Sequence, residues 1–307
     1  MAAVRRILCA TDFSAASAPA WAIARRLALA TKAELFLLHV VPWIPVPLEG
    51  SFDPQTYQRL MDEGRKEALA ALDQLTRGEG ASGPRATVRV EDGPAASRIL
   101  AVADREGADL VVLGTHGRTG LNRLLVGSVA EQVVQLASHP VVTARPLPGP
   151  PGPPGRPIGR IVYPTDFSPA SRRAWPWARA LAEASGAEID LLHVLLEVVP
   201  DRHVDPAFLA RASEAIEEDA RKSADQFLEG AGLPRERVHV HLVHGVEAEQ
   251  IVHWAQARSA DLVVMGTHGR TGLLRLALGS VTRRVLHAAP CPVLTVSSHA
   301  GEVPRPA

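Results

Sequence analysis

The chain is written twice, and this repetition limits what it can fold into more than any other feature. Arg6-Ile-Leu-Cys-Ala-Thr-Asp-Phe-Ser14 returns as Arg160-Ile-Val-Tyr-Pro-Thr-Asp-Phe-Ser168. Ala33-Glu-Leu-Phe-Leu-Leu-His-Val40 returns as Ala187-Glu-Ile-Asp-Leu-Leu-His-Val194. Ala108-Asp-Leu-Val-Val-Leu-Gly-Thr-His-Gly-Arg-Thr-Gly-Leu121 returns as Ala260-Asp-Leu-Val-Val-Met-Gly-Thr-His-Gly-Arg-Thr-Gly-Leu273. Order and spacing are kept, and each copy is far longer than a solenoid unit, so a whole domain has been duplicated. A length of 307 residues suits two domains of ordinary size.

Between the copies runs a stretch in which proline and glycine dominate, Pro146 to Pro157. Proline fixes φ and removes backbone donors, so this segment is expected to be a semi-rigid polyproline linker. The expected domains are 1–145 and 158–299, joined by a linker at 146–157 and followed by a loose tail at 300–307.

Each copy alternates apolar runs of strand length with amphipathic stretches. In the first copy the runs Ile7–Ala10, Leu35–Val40, Thr87–Val90, Leu110–Leu113 and Val141–Thr143 predict strands. Helices are predicted near Ala16–Ala30, Pro54–Arg77, Ala95–Glu106 and Ser128–Ala137. The second copy predicts strands at Ile161–Tyr163, Ile189–Val194, Val238–Leu242, Leu262–Met265 and Val293–Val296. Unbroken Val, Leu and Ile runs mark strands buried on both faces, as in parallel sheets. The expected fold class is therefore α/β: two tandem Rossmann-like domains, each a parallel sheet flanked by helices. Ligands of such sheets bind beyond the carboxyl ends of the strands.

Two groups of residues occupy those ends. Thr11-Asp12 and Thr165-Asp166 follow the first strand of each copy. A carboxylate there can accept from ribose hydroxyls, while Ser14 and Ser168 also suit helix capping. After the fourth strand comes Gly114-Thr-His-Gly117, nine residues, then Gly127-Ser128 opening a helix; Gly266-Thr-His-Gly269, nine residues and Gly279-Ser280 repeat it. Glycines admit a closely approaching ligand, and a helix start offers unsatisfied N–H groups and the positive end of the helix dipole, which suit phosphate. Arg118, Arg123, Arg270 and Arg275 add candidate charge-assisted contacts. Lysine does not follow Gly127 or Gly279, so this is not a Walker loop, and the dinucleotide fingerprint belongs after the first strand.

With Asp-Phe-Ser after strand one, His-Val closing strand two and Gly-x2-Gly-x9-Gly-Ser after strand four, both copies resemble the ATP-binding branch of the universal stress protein family. The resemblance implies five parallel strands per domain (the adenine nucleotide alpha hydrolase-like arrangement), a stress-regulatory role, and bound ATP, or AMP or ADP in its place, with Mg2+ or Mn2+ as the companion ion. It implies that Asp12 and Asp166, beside Thr11 and Thr165, hold the ribose or adenine side, and that Val40 and Val194 offer backbone groups to the adenine edge. Gly114, Gly117, Gly127 and Ser128 would hold phosphates, as would Gly266, Gly269, Gly279 and Ser280. Leu113, Val129, Met265 and Val281 flank these positions. Pro164 is the residue common in the family where the first copy carries Ala10, an apolar contact in either case. His116 and His268 either touch phosphate or a divalent ion or anchor their loop.

Acidic and basic residues balance at 33 each, so no global field draws the chain to nucleic acid or an anionic membrane. Asp12 interrupts the apolar start, and no uncharged stretch reaches membrane-helix length, so neither a signal peptide nor a membrane span is expected and a cytoplasmic location is. Cys9 and Cys291 read as buried thiols. His39 and His193 read as packed strand-end residues. His239 and His241 share one strand face, but zinc lacks a second spaced pair there. Ser213–Asp219 reads as a solvated helix face, and Pro42–Pro54 as a candidate lid. The last strands, Val141–Thr143 and Val293–Val296, are expected to pair the two domains within one chain, and an open edge strand allows a homodimer. Two other functional readings stand beside regulation: a slow ATPase or an autokinase using Ser128 or a neighbour, and a scaffold with one or both sites unused. The motif contains no committed base and nucleophile pair.

Overall fold

The computed structural model describes residues 4–43, 53–77, 84–115, 127–146, 156–195, 205–267, 278–297 and 300. The chain divides into two compact units, Val4–Arg156 and Pro157–Ala307. Among the described residues, no helix is long and apolar enough to cross a membrane.

The first unit runs β1 (Arg6–Ala10), α1 (Ala18–Thr31), β2 (Glu34–Val41), α2 (Pro54–Arg77), β3 (Ala86–Asp92), α3 (Ala95–Glu106), β4 (Leu110–Gly114), α4 (Ser128–Leu136) and β5 (Val141–Ala144). Its strands are parallel in the order β3-β2-β1-β4-β5. Ile7, Leu8, Leu35, Leu37 and Leu110 are fully buried, as unbroken apolar runs require when helices cover both faces. Strand order reverses beside β1, between β2 and β4. In sheets of this kind ligands bind at such a reversal, beyond the carboxyl ends of the strands.

The second unit repeats this plan with β6 (Arg160–Pro164), α5 (Pro169–Arg172), α6 (Trp175–Ser185), β7 (Glu188–Leu195), α7 (Pro206–Glu229), β8 (Val238–His244), α8 (Glu247–Ala257), β9 (Leu262–Gly266), α9 (Ser280–Ala288) and β10 (Val293–Val296). Its strands are parallel in the order β8-β7-β6-β9-β10. Both units are thus Rossmann-like five-stranded sheets flanked by helices. The same aspartate locks the same strand start in each. Asp109 Oδ2 accepts from the amides of Arg5 and Arg6 at 2.6 and 2.9 Å. Asp261 Oδ2 accepts from Gly159 and Arg160 at 2.9 and 3.1 Å.

The first crossover differs between the copies. α1 is continuous, whereas its counterpart breaks into α5 and α6 at Arg173–Ala174. Pro176 sits in the first turn of α6 and lacks the N–H that would continue α5 through it.

Candidate functional site

After β1 and β6 the chain turns sharply through Thr-Asp-Phe-Ser. Phe13 and Phe167 occupy the left-handed region at φ 62° and 59°, a conformation costly for a bulky side chain and held only by its surroundings. Phe13 N donates to Thr11 Oγ1 at 3.1 Å, and Ser14 N to Asp12 Oδ1 at 3.0 Å. Phe167 N and Ser168 N make the same bonds to Thr165 Oγ1 and Asp166 Oδ1, both at 3.0 Å. The phenyl rings pack on the strand-end histidines, with centroids 4.4 Å apart for Phe13–His39 and 4.8 Å for Phe167–His193. Each histidine holds the loop in turn, its Nδ1 lying 2.7 Å from the carbonyl of Thr11 or Thr165. His39 and His193 are therefore buried loop anchors.

The two serines diverge. Ser168 Oγ accepts from Ser171 N at 3.2 Å and caps α5, as expected of it. Ser14 does not cap α1, whose N-cap position falls to Ser17; its hydroxyl instead donates to Asp12 Oδ1 at 2.6 Å. Partial burial of Asp12 opposes its charged form, but the hydroxyl and amide of Ser14 and the Ser17 hydroxyl outweigh that. The carboxyl is held below its ordinary value. Asp12 is thus an anion already gripped by its own loop.

After β4, Thr115 N donates to Ala144 O at 2.9 Å and Gly127 N returns to Thr115 O at 2.5 Å. Thr267 N to Val296 O and Gly279 N to Thr267 O repeat this at 3.0 Å each. The amides of Gly127 and Gly279 are therefore spent on closing the loop, not offered to a ligand. The N–H groups available are those of the first helical turn, Ser128–Ala130 and Ser280–Thr282, which have no intrahelical partner. Gly127 and Gly279 are N-caps without a capping side chain, and Ser128 and Ser280 are exposed. Thr282 ties α9 to the strand end, its hydroxyl donating to the carbonyls of Gly266 and Thr267 at 3.1 and 3.2 Å.

Gly114 has a different reason to be glycine than expected. A Cβ there would lie 3.0 Å from Ala16 O and 3.2 Å from Ser17 Cα, so the close approach is to the segment entering α1. His116, Gly117, Arg118 and Arg123, together with His268, Gly269, Arg270 and Arg275, lie outside the described residues, as do 44–52 of the candidate lid.

In the second unit the strand ends enclose a cavity of about 720 Å³. Every described residue predicted for this copy lines it. Pro164, Thr165 and Asp166 come from the end of β6, and Val194 from β7. Met265 and Gly266 come from β9, and Gly279, Ser280 and Val281 from the start of α9. In the first unit Ala10, Thr11, Asp12, Val40, Leu113, Gly114, Gly127, Ser128 and Val129 occupy the corresponding ends of β1, β2 and β4 and the start of α4.

Sequence reasoning missed the cavity walls. Ile216, Asp219, Ala220 and Ser223 of α7 and Glu247 and Ile251 of α8 also line it. The stretch Ser213–Asp219 is therefore not wholly a solvated face. Glu217 and Glu218 do meet His244, Arg221 and Lys222 at the surface, but Ile216 and Asp219 look into the cavity. The usable signal was Glu247 itself, two residues past Gly245 at the end of a strand. His239 and His241 approach Glu188 and Asp190 at 3.7 and 3.2 Å. Among the described residues, no group of three or more His, Cys, Asp or Glu side chains converges to hold a metal ion.

The model of the Universal stress protein family matches residues 3–145 and again 157–297. A universal stress protein of Mycolicibacterium smegmatis is 29% identical over 292 residues, covering 94% of this chain and 96% of its own. Universal stress protein MJ0531 of Methanocaldococcus jannaschii is 37% identical over 139 residues, covering 45% of this chain and 81% of its own. Among solved structures, a universal stress protein from Archaeoglobus fulgidus superposes with a TM-score of 0.65 at 22% identity. It covers 96% of this chain and 98% of that one, a likeness of fold.

Proposed function

Because the chain belongs to the universal stress protein family, we propose that it binds an adenine nucleotide and acts as a stress-response regulator whose occupancy a partner reads. The observation that carries this reading is the cavity in the second unit. Its volume of about 720 Å³ lies within the range of small-molecule pockets, about 300–1,000 Å³. Its two ends differ chemically in the way a nucleotide does. At one end the exposed start of α9 supplies backbone donors and the positive end of the helix dipole, suited to phosphate. Towards the other lie apolar side chains of α7 and α8, suited to a base, and Asp166 between them suits ribose hydroxyls.

Ser280→Asp tests this. An aspartate in the first turn favours the helix, so folding is kept, yet it sets a negative charge beside the proposed phosphates. Charge repulsion at close range in a partly screened site is about 1–4 kcal/mol, so ATP affinity by equilibrium dialysis should fall at the second site by roughly tenfold or more. Adenosine binding should be unchanged. Equal weakening of both ligands, or no ATP binding to the wild-type chain, refutes the reading.

A further inference from the structure

We propose that Glu247 is the residue by which the second unit selects an aminopurine over an oxopurine nucleotide. The inference rests on the nucleotide reading above and deepens it.

Strand order sets out the cavity as a line. The ends of β9, β6 and β7 follow one another at neighbouring-strand spacing, about 4.8 Å a step. The start of α9 lies at the β9 end of this line. At the other end Gly245 N donates to Leu195 O at 3.0 Å, which pins the turn before α8 over the end of β7. Glu247, the first residue of α8, lines the cavity there. Ile216 and Ala220 from α7 and Ile251 from α8 add apolar walls suited to a planar ring.

Charge fixes the direction of entry. Glu247 and Asp219 are carboxylates that line the cavity from α8 and α7, both of which pack on β7, and they repel phosphate towards the donors of Ser280–Thr282 at the β9 end. The base then faces Glu247. An ionised carboxylate only accepts hydrogen bonds. It meets the exocyclic amine of adenine as a donor, whereas a 6-oxo group would set two acceptors against each other in a partly desolvated site.

Acidic residues in a first helical turn also serve the helix dipole. Glu249 shares that turn but is exposed and does not line the cavity, so it separates the two roles. The duplication supplies a second contrast. Ala95 opens α3 two residues after Gly93, as Glu247 opens α8 two residues after Gly245. α2 and α7, each 24 residues and each opening on proline, place Gly64 where α7 carries Ile216. At these two described positions the first unit thus carries neither the acceptor nor the apolar side chain, and base discrimination belongs to the second.

Titration calorimetry of the full chain with ATP, ITP and 2′-deoxy-ATP tests this on wild type, E247A, E247Q and E249A. Wild type should bind ATP about tenfold or more tightly than ITP at the second site. E247A should bring that ratio to within about twofold, and E249A should preserve it. E247Q, whose amide can donate to a 6-oxo group, should raise ITP affinity. The ratio of ATP to 2′-deoxy-ATP should be the same in all four. ATP binding without discrimination, a ratio unmoved by E247A and E247Q, or a change confined to the deoxy ratio overturns the inference and leaves the nucleotide site standing. Absence of ATP binding to wild type overturns both.

Discussion

Asp190→Ala should destabilise the second unit by about 2–3 kcal/mol, and the structure sets that size. Asp190 lies in β7, fully buried, where the first copy has Phe36. Its carboxylate accepts from Arg160 Nη1 at 3.1 and 3.2 Å, and lies 3.2 Å from His241 Nε2 and 3.4 Å from Arg258 Nε. Removing one partner of a buried ion pair costs roughly 3–5 kcal/mol, chiefly because the remaining charge stays buried. Here the remaining charges keep access to water: the Arg160, His241 and Arg258 side chains are 27%, 22% and 42% exposed, which brings the cost to the lower figure. Burial works against the charge on Asp190, but Arg160 leads the groups that outweigh it and hold the carboxyl below its ordinary value. A depressed carboxyl contributes stability above the unfolded value, near about 3.9, and that contribution is lost as pH falls through the folded value. Native-state hydrogen exchange of the β6 and β7 amides in the full chain reads the second unit alone. The difference from wild type should be full at pH 7 and shrink in acid. A change below about 0.5 kcal/mol at neutral pH would refute the reasoning, since it would mean that the buried carboxylate adds no more than an exposed pair does.

Three further outcomes follow from the strand-end loops. Gly114→Ala should cost roughly 1–3 kcal/mol, because its Cβ meets the backbone of Ala16 and Ser17 and neither can swing aside; chemical denaturation of the first unit checks it, and a neutral effect would show that the entry to α1 is loose. Ser14→Ala should raise the carboxyl of Asp12 towards its ordinary value and reduce stability at neutral pH. That loss should close as pH falls through the folded value, whereas Ser168→Ala should cost a helix cap, about 1 kcal/mol, and carboxyl NMR titration separates the two.

The fold was largely legible because duplication printed each element twice. Among the described residues, ten strands lie where strands were expected, and α2 spans Pro54–Arg77 as expected. The break between α5 and α6 was less visible, since Pro176 sits amid residues that otherwise favour helix. The strand-end residues were legible from the rule that sheets of this kind bind ligands there, but their division of labour was not. A spacing of glycines does not say that Gly127 and Gly279 spend their amides inside the loop, or that Gly114 faces a helix entry. Nor did the periodicity of α7 reveal which of its polar residues turn inward, because Glu217 and Asp219 read alike until the helix is docked. Asp190 was hidden for a related reason: its partners come from β6, β8 and the end of α8, which only the folded sheet brings together.

The central claim is that the exposed helix starts receive phosphate. The most direct measurement follows the backbone amide resonances of Ser128–Ala130 and Ser280–Thr282 in the full chain as ATP is added, with adenosine as the comparison. ATP should shift the Ser280–Thr282 amides strongly and saturably while adenosine leaves them nearly still and moves Val194 and Ile251 instead. Saturable ATP binding that leaves Ser280–Thr282 unmoved would contradict the account.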